Sequence, residues 1–183
     1  MVMTVYSIAV FLHVLGMGGL FAATAIEWIV DRKLARVRSA EDVREALALM
    51  PLGMTTGAPS AVAILLTGGY MTHAVWSWDK PWIFMGFATM LLAFGLGGAG
   101  SARKMKAMGR IAAAESGPPS PALGAALADP AIQLTLRVRT GLLVSIVYLM
   151  TVRPELVGAL VAPVVFAALG FAAARMRKVP AAA

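Results

Sequence analysis

A chain of 183 residues that is 60% hydrophobic and 14% charged carries more apolar surface than one water-soluble core can hide, since soluble domains average about 45–50% apolar and about 25% charged residues. Its mean hydropathy of +0.80 makes lipid the solvent for much of that surface and predicts an all-α, polytopic membrane helical bundle. The formal charge of +7 does not make it a nucleic-acid binder, because the basic residues sit in clusters beside long apolar runs with no basic face interleaved with aromatics; the absence of cysteine excludes disulfides, thiolate metal sites, iron–sulfur ligation and cysteine nucleophiles.

A bilayer core about 30 Å thick takes about 20 mostly apolar residues per helix, and five runs qualify. The first spans residues 4–30 and is closed by Asp31, Arg32 and Lys33. Its length, and the lack of Lys or Arg in its leading MVMTVYS, argue against a cleaved signal peptide. The others span about 54–76, 81–100, 133–152 and 155–174, all within a single transmembrane domain, 1–183, with surface segments at 31–50 and 101–130. Ser39-Ala-Glu-Asp42 resembles a capping box, in which a serine oxygen takes an orphan N–H three residues on. Val43, Ala46, Leu47 and Met50 follow at helical spacing, which predicts a helix resting on the membrane. After the third span the helix is expected to continue to about Ala114. Ser116-Gly-Pro-Pro-Ser-Pro121 breaks it, and Asp129-Pro130 reads as N-cap and first-turn proline of the fourth.

Of the 16 Lys and Arg, all but Lys80 and Arg153 fall in the segments after spans one and three, at the foot of span four, or in the tail with Arg175, Arg177 and Lys178. Five spans put those segments on one side, and the excess of positive charge makes that side cytoplasmic. The amino terminus is then outside and the carboxyl terminus inside. Tyr6, Trp76, Trp78, Trp82 and Tyr148 fall near the outer boundary and Trp28 near the inner one, where amphipathic rings prefer to sit.

His13 is the leading candidate for chemistry. It lies about seven residues into the first span, roughly 10 Å deep at 1.5 Å per residue, and an ionisable residue there is a functional hypothesis by default. Counting to equal depth on other spans reaches Thr67, Thr89 or Met90, and Ser145, which together predict a polar layer. That layer suits interhelical hydrogen bonding as well as a ligand, a haem iron, a metal or a proton relay. His13 and, as a lesser candidate, His73 are the metal-ligand candidates. His73 falls near Trp76, offset by roughly 8 Å, which counts against a simple His13/His73 haem pair, and Met90 matches His13 in depth as another candidate second axial ligand. Arg137 and Arg139 enter the inner edge of span four at the depth of Glu27, predicting a Glu27–Arg137 or Glu27–Arg139 pair. Gly53-x-x-x-Gly57 and Gly18-x-x-x-Ala22 match close-packing patterns, and no phosphate loop, nucleophile elbow or zincin motif is present.

Phe11-Leu-His13-Val-Leu-Gly-Met-Gly-Gly-Leu-Phe21 resembles a first-helix signature of small bacterial membrane proteins, and Met150-Thr-Val-Arg-Pro154 resembles the ending of a late helix in the same group. The chain resembles an uncharacterised family of bacterial integral membrane proteins. It is distantly similar to the copper-resistance CopD domain and to HemJ-type protoporphyrinogen oxidases. The resemblance implies that His13 is the family's first-helix histidine and, from the HemJ side, that it is associated with haem. The chain lacks a lysine inside its later spans and an outer surface rich in methionine and histidine. The residues and the resemblance together lead to the expectation of a bacterial inner-membrane protein, possible as a homo-oligomer or subunit of a membrane complex. Its expected role is to bind a small ligand or cofactor around His13, Met90, Thr67 and Ser145. The alternatives are a haem-b redox protein, either electron carrier or oxidase, and a small transporter.

Overall fold

The computed structural model describes residues 2–176, so Arg177 and Lys178 of the basic tail lie outside the described residues. It is all-helical: α1 (Val2–Leu34), α2 (Ala40–Leu47), α3 (Met50–Ala74), α4 (Pro81–Gly95), a π-helical segment (Leu96–Ala102), α5 (Arg103–Ala113), α6 (Pro121–Leu127), α7 (Pro130–Val152) and α8 (Leu156–Met176). Five helical stretches are long and apolar enough to cross a membrane. Their outward faces carry large apolar side chains open to the surroundings, Phe11, Leu66, Phe84, Leu91, Val157 and Val164 among them, each more than 60% exposed. A water-soluble protein does not carry so much contiguous apolar surface.

Local chemistry explains where the helices begin and end. The Ser39 hydroxyl accepts from the Asp42 N–H (3.2 Å) and the Asp42 carboxylate accepts from the Ser39 N–H (3.1 Å), a complete capping box. The Asp129 carboxylate accepts from the Ala131 N–H at 2.9 Å, and Pro130 opens α7. The third apolar run does continue, through the π segment into α5. Its sequence Leu-Gly-Gly-Ala-Gly-Ser-Ala carries few side chains to enforce α-helical spacing, and such wide turns concentrate at functional sites.

The helix expected on the membrane surface is placed differently. Val43 and Ala46 of α2 are fully buried, and Val43 packs with Met105, Met108 and Ala112 of α5 and Leu123 of α6. The apolar face that a lipid surface was expected to take is covered by protein, because α5 supplies a matching apolar stripe. Gly117, at φ +76°, makes the junction possible: its carbonyl accepts from the Ala40 N–H at 2.8 Å while its own N–H donates to Glu41. Arg44 adds bonds to the carbonyls of Ala112 (2.5 Å) and Glu115 (2.8 Å). The three short helices thus form a cap at one end of the bundle.

The long helices pack in two groups. α1 lies along α3, while α7 is packed against α8 and α4, and between the groups the principal helix contact is α1 with α7. In the α1–α3 pair, an added Cβ at Gly16 would lie 3.0 Å from the Ser60 carbonyl, and one at Gly57 would lie 3.0 Å from Ala23 Cβ. These glycines let the two helices close up. The seam between the groups is left thinner, and it holds the cavities.

Candidate functional site

Away from the cap, the seam opens into a cavity of about 340 Å³. Its walls come from α1, α3, α4 and α7, with His13, Gly68, Phe87, Met90 and Met150 inside and Trp76, Trp82 and Arg153 at the aromatic end. His13 is held from behind. Its Nδ1 lies 3.1 Å from Thr67 Oγ1, and the Thr67 hydroxyl donates its one proton to the Ala63 carbonyl at 2.5 Å. That geometry favours the tautomer in which His13 Nδ1–H donates and Thr67 Oγ1 accepts. A neutral imidazole so fixed keeps its lone pair on Nε2, the state that ligates a metal or accepts a proton. Gly68 makes room: a Cβ there would press to 3.3 Å on His13 Cε1.

The aromatic end is tied by cations and rings. Trp76 meets Trp82 edge to face at 5.3 Å, and the Arg153 guanidinium lies 4.6 Å from the Trp76 ring centre and 5.7 Å from that of Trp82. Arg153 caps α7 in the left-handed region at φ 52°, a conformation unfavourable for an L residue with a long side chain. The turn aims the guanidinium at both tryptophans. Arg153→Met is expected to lower stability by about 1 kcal/mol through the lost cation–π contacts, read as a lower Tm with a shifted tryptophan emission; an unchanged spectrum would contradict the stacking.

The expected polar layer is only partly assembled. Thr67 touches His13 and Met90 shares its cavity. Ser145 is fully buried but donates to the Leu142 carbonyl at 2.7 Å and does not line the cavity. Thr89 is buried outside it. His73 is exposed and does not line the His13 cavity. No group of three or more His, Asp or Glu is placed to hold a metal ion among the described residues; beside His13 the cavity wall offers the thioethers of Met71, Met90 and Met150. Two residues that the sequence reading did not connect with the site, Met150 and Arg153, face the same cavity. Both sit in the Met150–Pro154 motif, the signal that was available.

The chain matches no protein-family model, no curated protein and no solved structure.

Toward the cap, Met90 also walls a second cavity of about 260 Å³. Here Arg139 pairs with Glu27. Arg137 pairs with Asp31 at 3.6 Å, both groups nearly buried, and stacks on Trp28 at 5.1 Å from the ring centre. Trp28 in turn donates its indole N–H to Thr140 at 3.1 Å. Of the two expected pairings for Glu27, the structure contains the one with Arg139. Asp31 was read as the charge that ends the first span, yet α1 continues past it to Leu34. That places Glu27 and Asp31 four residues apart on one face, each meeting one arginine of α7.

Proposed function

We propose that this chain is a multi-pass protein of the bacterial inner membrane that binds a small, mainly apolar ligand or cofactor in the His13 cavity. It acts alone or as a subunit of a homo-oligomer or membrane complex. The observation that carries this is the His13 imidazole, fixed by Thr67 through Nδ1 and set in the wall of a cavity of about 340 Å³. Ligand pockets run from about 300 to 1,000 Å³ with apolar walls and a few directed polar groups, and this cavity has that make-up. A histidine kept inside an apolar span is costly unless it serves a function. The distribution of Lys and Arg supports an amino terminus outside and a cap in the cytoplasm, which puts the His13 cavity in the outer half of the bilayer.

Haem b is the cofactor favoured by a specific observation. His13, Met90 and Met150 line one cavity, so an imidazole and thioethers would be available there to hold the iron. Arg153 at the mouth suits a propionate. Haem bound there would supply one-electron chemistry; the chain itself fixes the imidazole through Thr67 and closes the aromatic end with Trp76 and Trp82. Visible spectra of protein purified in mild detergent from haem-replete cells, oxidised and dithionite-reduced, test this. A Soret band and sharp reduced α-band, both lost in His13→Ala, are the expected result for the haem reading. A colourless, well-folded protein would overturn haem and leave an uncoloured ligand, to be sought by mass spectrometry of the extract.

A further inference from the structure

The second cavity contains an excess of hydrogen-bond donors. A guanidinium carries five N–H donors in a planar fork, and Arg139 directs Nη2 at Glu27. Glu27 is its one protein partner among the described residues. The Arg139 side chain is nevertheless only 12% exposed. Gly97 of the π segment lies against Nη1, where a Cβ would collide with it. Four residues on, Ser101 is 6% exposed, and its Oγ is buried without a hydrogen-bond partner while the residue lines the cavity. A buried donor left unmet costs about 1–3 kcal/mol; Ser101 Oγ is in that position among the described residues, beside a guanidinium with N–H groups to spare, and an acceptor from outside the chain would meet both. The remaining walls are apolar, with Met54, Phe94 and Leu143 prominent.

We propose that this second cavity binds a small amphipathic acid, its carboxylate held by Arg139 and Ser101 and its short apolar body lying against Met54 and Phe94. A carboxylate offers two oxygens to the free edge of the guanidinium fork and accepts from the serine hydroxyl. Charge sets the form in which it enters. The charged side chains on the cavity wall are Glu27 of α1 and Arg139 of α7; Asp31 and Arg137 face each other in a neighbouring pocket that they share with Arg32 and Arg36. α3, α4 and the π segment bring no charged side chain to the cavity wall. The site is therefore neutral before binding, and an added anion would leave a net buried charge. The acid stays neutral overall by giving its proton to Glu27: the ligand O–H breaks, a Glu27 Oε–H forms, and Arg139 exchanges one carboxylate for the other. The π segment explains the geometry, because its wide turn carries Ser101 inward while Gly97 clears space for the guanidinium.

Radiolabelled hexanoate binding to the full chain in nanodiscs tests the proposal. Saturable binding is expected, competed by benzoate but not by hexanol, with one proton taken up per hexanoate anion in weak buffer. Ser101→Ala is expected to weaken it about tenfold, and Gly97→Ala, which displaces the flexible tip of Arg139, to weaken it also. Gly69→Ala leaves it unchanged, since Gly69 lines neither cavity and its Cβ would meet open space. The proposal is overturned by non-saturable binding, by equal competition from hexanol, by an unaffected Ser101→Ala, or by loss of binding in Gly69→Ala.

Discussion

Replacing Asp31 with alanine is expected to destabilise the protein by about 3–5 kcal/mol, because Arg137 would keep its charge in a nearly buried position without its carboxylate. The side chains of the pair are only 4% and 6% exposed. Adding Arg137→Met should recover much of the loss, since a buried ion pair replaced by apolar groups of similar size is close to neutral. The contrast is Glu45→Ala. Its partner Lys33 and Glu45 itself are 44% and 74% exposed, and an exposed pair contributes less than about 1 kcal/mol. Unfolding titrations of all four proteins in mixed micelles check the ordering. Equal losses for Asp31→Ala and Glu45→Ala would show that the Asp31–Arg137 pair is solvated.

The second large effect concerns α7 and α8. An added Cβ at Gly141 would collide with the backbone carbonyl of Phe166, and one at Gly170 with the backbone carbonyl of Arg137. Backbone cannot rotate out of the way as a side chain can, so the helices must part. Gly141→Ala is expected to cost about 3 kcal/mol, the upper end for overpacking, and Gly170→Ala to behave likewise. Gly69→Ala has open space around its Cβ and is expected to change stability by less than about 0.5 kcal/mol. Thermal unfolding monitored by circular dichroism separates the two classes. A tolerated Gly141→Ala would mean that α7 and α8 pack less closely than described.

What could be read from residues alone follows the range of the physics involved. Helix starts are local: Ser39 with Asp42, and Asp129 with Pro130, place caps within one turn of sequence. The five apolar runs are equally local, since each needs only its own composition. Packing choices are not. The apolar face of α2 fits lipid or protein equally well, and only the matching face of α5 decides for protein. The expected end of the first span at Val30 left Asp31 outside, because a charge triplet stops a hydropathy reading while a helix with a partner arginine runs on. Glu27 and Asp31 at a four-residue spacing, opposite Arg137 and Arg139, were the signal for two pairs. Within the site, depth counting brought Thr67 and Met90 to His13 but also chose Ser145, since depth says nothing about which way a side chain faces. Ser145 satisfies its hydroxyl on its own helix, at Leu142. The π segment leaves no mark in residue periodicity beyond its glycines, and with it the inward placement of Ser101 was hidden.

The central claim is that His13 presents an unprotonated Nε2 to the cavity, and ring-nitrogen NMR reads this directly. The chain has two histidines, so a His73→Gln background leaves His13 as the sole imidazole in a ¹⁵N-histidine sample. The account predicts a neutral ring with the proton on Nδ1 and a lone pair on Nε2, and a change to the other tautomer or to exchange broadening in Thr67→Val. A ring protonated on Nε2 in the unaltered protein would mean that Nδ1 accepts from Thr67, and would contradict His13 as the group that meets a ligand.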